Sequence, residues 1–215
     1  YKKAKNYALS KNKISLFSSS LSFLLVISLI VFNGYGIIDQ FVSSSLSKSF
    51  ESLQISSNFI QSGFFFLILF ILNSFISIPF SYYNTFVIEE KFGFNKTTKL
   101  TFFIDIIKST LLSFFIGGIL LFLALYLYEN LNDGFWLWLW IGLSLLMILI
   151  NMFYADLIVP IFNKLTPLDD GELRNKIEKY SKDVGYLLQK IYVIDGSKRS
   201  TKANAFFSGL GPRKT

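Results

Sequence analysis

The chain of 215 residues contains no cysteine and no histidine. Without cysteine there is no disulfide framework, no thiolate metal site and no cysteine nucleophile, and the redox compartment leaves no mark. Without histidine the commonest zinc ligand and the commonest general base are missing, so no histidine-dependent site resides in these residues. Proline is scarce, with four residues, and charged side chains make up only 16%. Against these deficits stand 52% hydrophobic residues, 25 phenylalanines and a mean hydropathy of +0.49. One soluble core of this length cannot hide so much apolar surface. The composition is that of an integral membrane protein.

Crossing the hydrocarbon core takes roughly 20 mostly apolar residues. Four stretches suffice, at about 14–32, 63–83, 109–128 and 135–155. The second belongs to a charge-free run from Ser52 to Ile88, which allows tilt or extension beyond the bilayer. Lys and Arg number five before the first span, one in loop 39–61, four in 89–108, none in 129–134 and eleven after Asp156. That alternation places the N-terminus, the segment 89–108 and the C-terminal part in the cytosol. The net charge of +7 is thereby read as topology and attraction to anionic lipid, with no nucleic-acid partner. The opening KKAKNYALSKNK and its apolar run imitate a signal peptide, with Gly34 and Gly36 as a small-x-small site. Three further spans behind it favour an uncleaved first span.

Beyond Pro160 the character changes to that of a soluble α+β unit. A helix is expected from Thr166 or Asp169, with Leu173, Ile177, Tyr180 and Val184 on its apolar face. KIYVID at 190–195 reads as a strand, a second strand is expected at about 203–208, and Arg213–Thr215 as the start of a third. So short a unit is marginal alone, so the chain is expected to continue past Thr215. The domain plan is a basic cytosolic segment at 1–13, four transmembrane helices with their loops at 14–156, and the beginning of a cytosolic domain at 157–215.

Four polar stretches invite a functional reading. In PFSYYNTFVIEEKFGFNK, Glu89 and Glu90 lie just past an apolar run, either as solvated caps or as part of a docking or cavity surface. Adjacent helical residues point about 100° apart, so they make a poor shared acid/base pair. In FFIDIIKST, Asp105 and Lys108 share a helix face, as an interfacial ion pair or as a polar lining. In NMFYADLIVPIFNKLTPL, Asn151, Tyr154 and Asp156 put hydrogen-bonding groups at the end of the fourth span. In SKRSTKANAFFSGLGPRKT, Asn204–Ser208 alternates either as an ordinary hairpin strand or as an edge strand that pairs with an extended peptide. Ser197–Ser200 before it would anchor an anionic group or stand in solvent. Pattern does not choose between these.

PFSYYNTFVIEEKFGFN, YADLIVPIFNKLTPLDDGEL and YVIDGSKRSTKANAFFSGLG, in this order relative to the spans, resemble the CAAX prenyl protease 1 family, membrane zinc metalloproteases that cleave prenylated substrates. The resemblance implies four transmembrane helices of a larger helical barrel around a water-filled chamber, followed by the start of an α+β zincin-type domain. It implies zinc, held by an HExxH helix and a later Glu that lie downstream of Thr215 in the family's order. By the same resemblance Asn204, Ala205, Phe206 and Phe207 are substrate-aligning positions. On their own pattern, Glu89, Glu90, Asp105, Asn151 and Asp156 remain candidate chamber or interface positions. No catalytic or metal residue is expected in this chain, and the 215 residues alone are expected to be inactive. The implied partners are a peptide or prenylated-protein substrate and the bilayer, either the bacterial inner membrane or the endoplasmic reticulum. A transporter or channel with Asp105, Lys108 and Asp156 along its path is the rival reading, and a noncatalytic scaffold of the same fold is a third.

Overall fold

A computed structural model describes residues 2–46, 57–131, 133–186, 188 and 190–208. They fall into two compact units, Tyr1–Asn95 and Lys96–Thr215. The expected third strand at Arg213–Thr215 lies outside the described residues, as does the start of the charge-free run at Ser52.

The first unit contains α1 (Lys2–Val31), α2 (Gly34–Leu46) and α3 (Ser57–Tyr83), the last running into a π-helical turn, Asn84–Glu89. The basic stretch ahead of Ile14 is itself helical, so α1 begins twelve residues before the expected span. Once an apolar helix has nucleated, extension through Lys, Ala and Leu is inexpensive. Gly34 and Gly36 have a structural use. Asn33 takes a left-handed φ of 53° and stops α1, and a Cβ on Gly34 would sit 2.5 Å from Leu29 Cδ2 and 3.2 Å from Leu29 Cα. Glycine is what lets α2 start so close to α1.

Helix α2 occupies part of what the sequence marks as a loop at 39–61. At 13 residues it is about 20 Å long, short of a bilayer crossing. Gln61 Nε2 of α3 donates to Asp39 Oδ1 of α2 at 2.8 Å, and the Tyr35 and Phe65 rings lie 6.4 Å apart. Pro79 neither ends α3 nor starts the widening, because the helix continues to Tyr83 before the π turn opens at Asn84. Freed backbone groups at a membrane proline can be met locally, so the residue is tolerated.

In the second unit, α4 (Lys99–Asn130) starts on Thr98, whose Oγ1 accepts the Thr101 N–H at 3.1 Å as an N-cap. A turn with Gly134 at φ 91° leads to α5 (Phe135–Phe153), a second π turn (Tyr154–Ile158) and α6 (Val159–Phe162). Pro160 sits in the first turn of α6, where its missing N–H is harmless. Helical structure therefore passes the expected end at 155.

Four helices among the described residues are long and apolar enough to cross a membrane: Lys2–Val31, Phe59–Glu89, Lys99–Asn130 and Phe135–Phe162. They match the four expected spans, each longer at one end or both. Their outward Phe75, Phe115 and Met147 are 73%, 66% and 73% exposed, a liability in water and ordinary against lipid.

The remaining elements are β1 (Leu165–Pro167), α7 (Glu172–Asp183) and β2 (Tyr192–Ile194). The strands pair antiparallel, with Leu165 opposite Ile194 and Pro167 opposite Tyr192. Thr166 therefore belongs to a ladder and starts no helix. Asp169 also precedes the helix, which begins at Glu172 after Gly171. Arg174 to Glu178 at 2.9 Å and Lys176 to Glu172 at 2.6 Å brace α7 at i,i+4 spacing. It ends one residue before the expected Val184, where Gly185 takes φ 72° and the Tyr186 N–H closes onto the Ser181 carbonyl at 2.7 Å. The expected strand at 190–195 is confined to three residues. The expected strand at 203–208 does not form, since residues 202–208 have no regular structure. Alternation marks a residue's face, but a strand also requires a neighbour with which to exchange backbone hydrogen bonds.

Candidate functional site

In the first unit the two glutamates have different surroundings. The Glu89 carboxylate, 16% exposed, accepts hydrogen bonds from the Tyr7 hydroxyl and from Lys11 Nζ at 3.2 Å. Its backbone carbonyl accepts the Phe94 N–H at 2.8 Å, and Tyr7 meets the rings of Phe92 and Phe94 edge-on. Glu89 is thus a tie between α1 and the end of α3, not a solvated cap. Glu90 accepts from Asn95 Nδ2 at 2.7 Å and steadies the turn after the helix. Asn84, at the opening of the π turn, has a buried Oδ1 with no hydrogen-bond partner among the described residues.

The second unit holds the remaining expected positions. Asn204, Ala205, Phe206 and Phe207 line a cavity of about 600 Å³ whose other walls include Leu173 and Ile177 of α7. The Phe206 ring meets Tyr154 of the π turn edge-on at 6.0 Å, and Phe207, 76% exposed, meets Tyr186 at 5.4 Å. The Asn204 Oδ1 accepts the Ala205 N–H at 2.9 Å, and Ser208 Oγ lies 3.4 Å from the Asn151 carbonyl oxygen. Asn151 and Tyr154 thus meet the 204–208 segment at the end of the fourth span. Asp156 stands apart from it, 3.8 Å from Lys190 Nζ.

Asp105 does not pair with Lys108. Its carboxylate takes a two-pronged hydrogen bond from Arg199, Nε to Oδ2 at 2.6 Å and Nη2 to Oδ1 at 2.8 Å. Lys108 Nζ instead donates to the Ile161 carbonyl at 2.7 Å. The hydrogen bond to Asp105 holds the Arg199 guanidinium pKa above its ordinary value, against partial burial. Beside it, the Ser197 hydroxyl and backbone N–H both donate to Asp195 and pull that carboxyl below its ordinary range. The Ser197–Ser200 loop therefore does anchor an anionic group, and that group belongs to the chain itself.

Asn163 carries no mark of a site residue in the sequence, and Arg199 is marked only as part of the Ser197–Ser200 loop, with no partner indicated. The usable signal is that Asp105 is the only acidic residue between Glu90 and Glu129, so a partly buried carboxylate there demands a partner from elsewhere. These residues do not make a zinc site: no group of three or more His, Cys, Asp or Glu converges among the described residues, and His and Cys are absent throughout.

Long lipid-compatible helices, π turns at the ends of two of them and a small α+β unit define a polytopic membrane protein. Residues 1–164 match the family model of the CAAX prenyl protease N-terminal region, described as having five membrane helices. The chain belongs to that family, which bears out the resemblance carried by its motifs. It is 37% identical to CAAX prenyl protease 1 of Saccharomyces cerevisiae over 98% of its length, covering 47% of that protein. It is 34% identical to the CAAX prenyl protease 1 homolog of Mus musculus over all of its length and 45% of the relative's. The crystal structure of S. mikatae Ste24p superposes with a TM-score of 0.84 at 37% identity, over 97% of this chain and 48% of that one. The chain spans about half the length of the curated relatives it matches.

Proposed function

We propose that the chain is the membrane-embedded half of a zinc-dependent endopeptidase acting on membrane-associated proteins, prenylated CAAX-type substrates first among them. The four spans form part of a chamber wall, the 157–215 region contributes part of the catalytic domain, and residues 204–207 align the substrate backbone. Zinc would polarise the scissile carbonyl and activate water, with ligands from residues other than these 215. This chain's own contribution is binding and orientation. The observation that carries the reading is Asn204–Phe207 lining a 600 Å³ cavity with no strand partner in the described residues, in a chain alike along its whole length to CAAX prenyl proteases. A segment of that kind takes an extended peptide through main-chain hydrogen bonds. The Lys and Arg alternation supports cytosolic termini, and eukaryotic relatives support the endoplasmic reticulum membrane over a bacterial one.

The test uses the full-length protein in proteoliposomes with a prenylated CAAX peptide. Cleavage is expected, abolished by a metal chelator and restored by zinc. Chelator-insensitive cleavage, or none with zinc bound, contradicts the reading. Substrate-independent ion or solute flux through the same vesicles favours a transporter instead.

A further inference from the structure

We propose that Arg199 is a positioning residue that fixes the start of the substrate-aligning segment against membrane helix α4; this rests on the function proposed for residues 204–207. Its guanidinium is engaged on three nitrogens: Nε and Nη2 on the Asp105 carboxylate, and Nη1 on Asn163 Oδ1 at 2.9 Å. Its backbone carbonyl accepts the Lys96 N–H at 3.0 Å and the Thr97 hydroxyl at 3.1 Å, just ahead of α4. The Asp105 and Arg199 side chains are only 23% and 26% exposed, so the pair is poorly screened by solvent. Side chain and main chain of one residue thus fasten the loop to both the α4 entry and the α4 body, 94 residues away in sequence.

The segment just downstream of this clamp depends on it. Among the described residues, 203–208 join no strand ladder, so the contacts at the two ends of the segment set its register. The far end of the segment is held by ring contacts of Phe206 and Phe207 and by Ser208. The near end takes its position from Arg199. A planar fork bound in two prongs sets direction as well as distance, which a lysine ammonium cannot reproduce. An error of about 1 Å in backbone placement is worth on the order of 100-fold in rate.

The experiment compares full-length wild type, Arg199→Lys and Asp105→Asn, each loaded with zinc. Hydrogen exchange at 202–208, kcat and KM on a prenylated peptide, zinc content and melting temperature are measured. Both variants are expected to exchange faster at 202–208 and to lose about 10- to 100-fold in kcat, with KM changed less than about threefold. Zinc content is expected to match wild type in both; Asp105→Asn is expected to melt lower because it removes the negative charge facing the guanidinium, whereas Arg199→Lys keeps opposite charges and is expected to melt close to wild type. Wild-type exchange and kcat in either variant overturns the proposal. So does a loss of activity in Arg199→Lys that tracks lost zinc or a lowered melting temperature, because the pair would then be only structural. A wild-type protein that cleaves no peptide defeats the proposed function and leaves the exchange comparison to decide the clamp.

Discussion

In the full-length protein, Ala205→Pro lowers kcat/KM toward a peptide substrate by about 100-fold while zinc content and melting stay as in wild type. An extended peptide that joins a free edge is held by main-chain hydrogen bonds, each worth about 1 kcal/mol net and more where water is excluded. Proline removes one donor and fixes φ, so both the bond at 205 and the path of its neighbours are lost. Among the described residues the resting protein gives up little, since there the Ala205 N–H donates to the adjacent Asn204 Oδ1. One or two lost bonds together with misplacement of the scissile carbonyl reach roughly two orders of magnitude. A variant within threefold of wild type would remove residues 204–207 from substrate alignment.

The second large effect is on stability. Glu89→Ala is expected to destabilise the protein by about 2 kcal/mol, because it deprives both Tyr7 and Lys11 of this acceptor. A fully buried pair would cost more, but Lys11 is 41% exposed and water recovers part of the loss. For a chain of this size that is a fall of about 4–8 °C in melting temperature. Glu89→Gln keeps an acceptor for the Tyr7 hydroxyl and is expected to lose about half as much. Melting in detergent decides the point. A Glu89→Ala protein that melts within 1 °C of wild type would mean that the carboxylate is not the tie between α1 and the end of α3.

The spans are legible in the sequence because hydropathy is a bulk property. FWLWLWIGLSLLMILI has no soluble alternative, and the paired charges of α7 announce their i,i+4 geometry. Short elements are not legible in the same way. Helix α2 reads as loop because GYGIIDQFVSSSL is too short and too mixed to stand out, and its place depends on Gly34 packing against Leu29. Strand β1 has only three residues, one of them proline, and exists because β2 supplies its partner. The reverse holds at 203–208, where an alternating pattern suggests a strand but no neighbour among the described residues completes it.

Site residues divide along the same line. Motif similarity points to Asn204–Phe207, which line a cavity together with residues of α7. Local spacing misleads at Asp105, whose apparent partner three residues on is engaged by a carbonyl, while its actual partner comes from 94 residues away. Long-range pairing is a property of the folded backbone and leaves no periodic trace in sequence.

The proposed alignment of a peptide along residues 204–207 is what everything else depends on, and photocrosslinking tests it directly. A benzoylphenylalanine placed at the exposed Phe207 of the full-length, zinc-loaded protein is mixed with a non-cleavable prenylated peptide and irradiated. The account predicts an adduct with that peptide, suppressed by excess unlabelled substrate. An active enzyme that gives no competable adduct at 207 would contradict it.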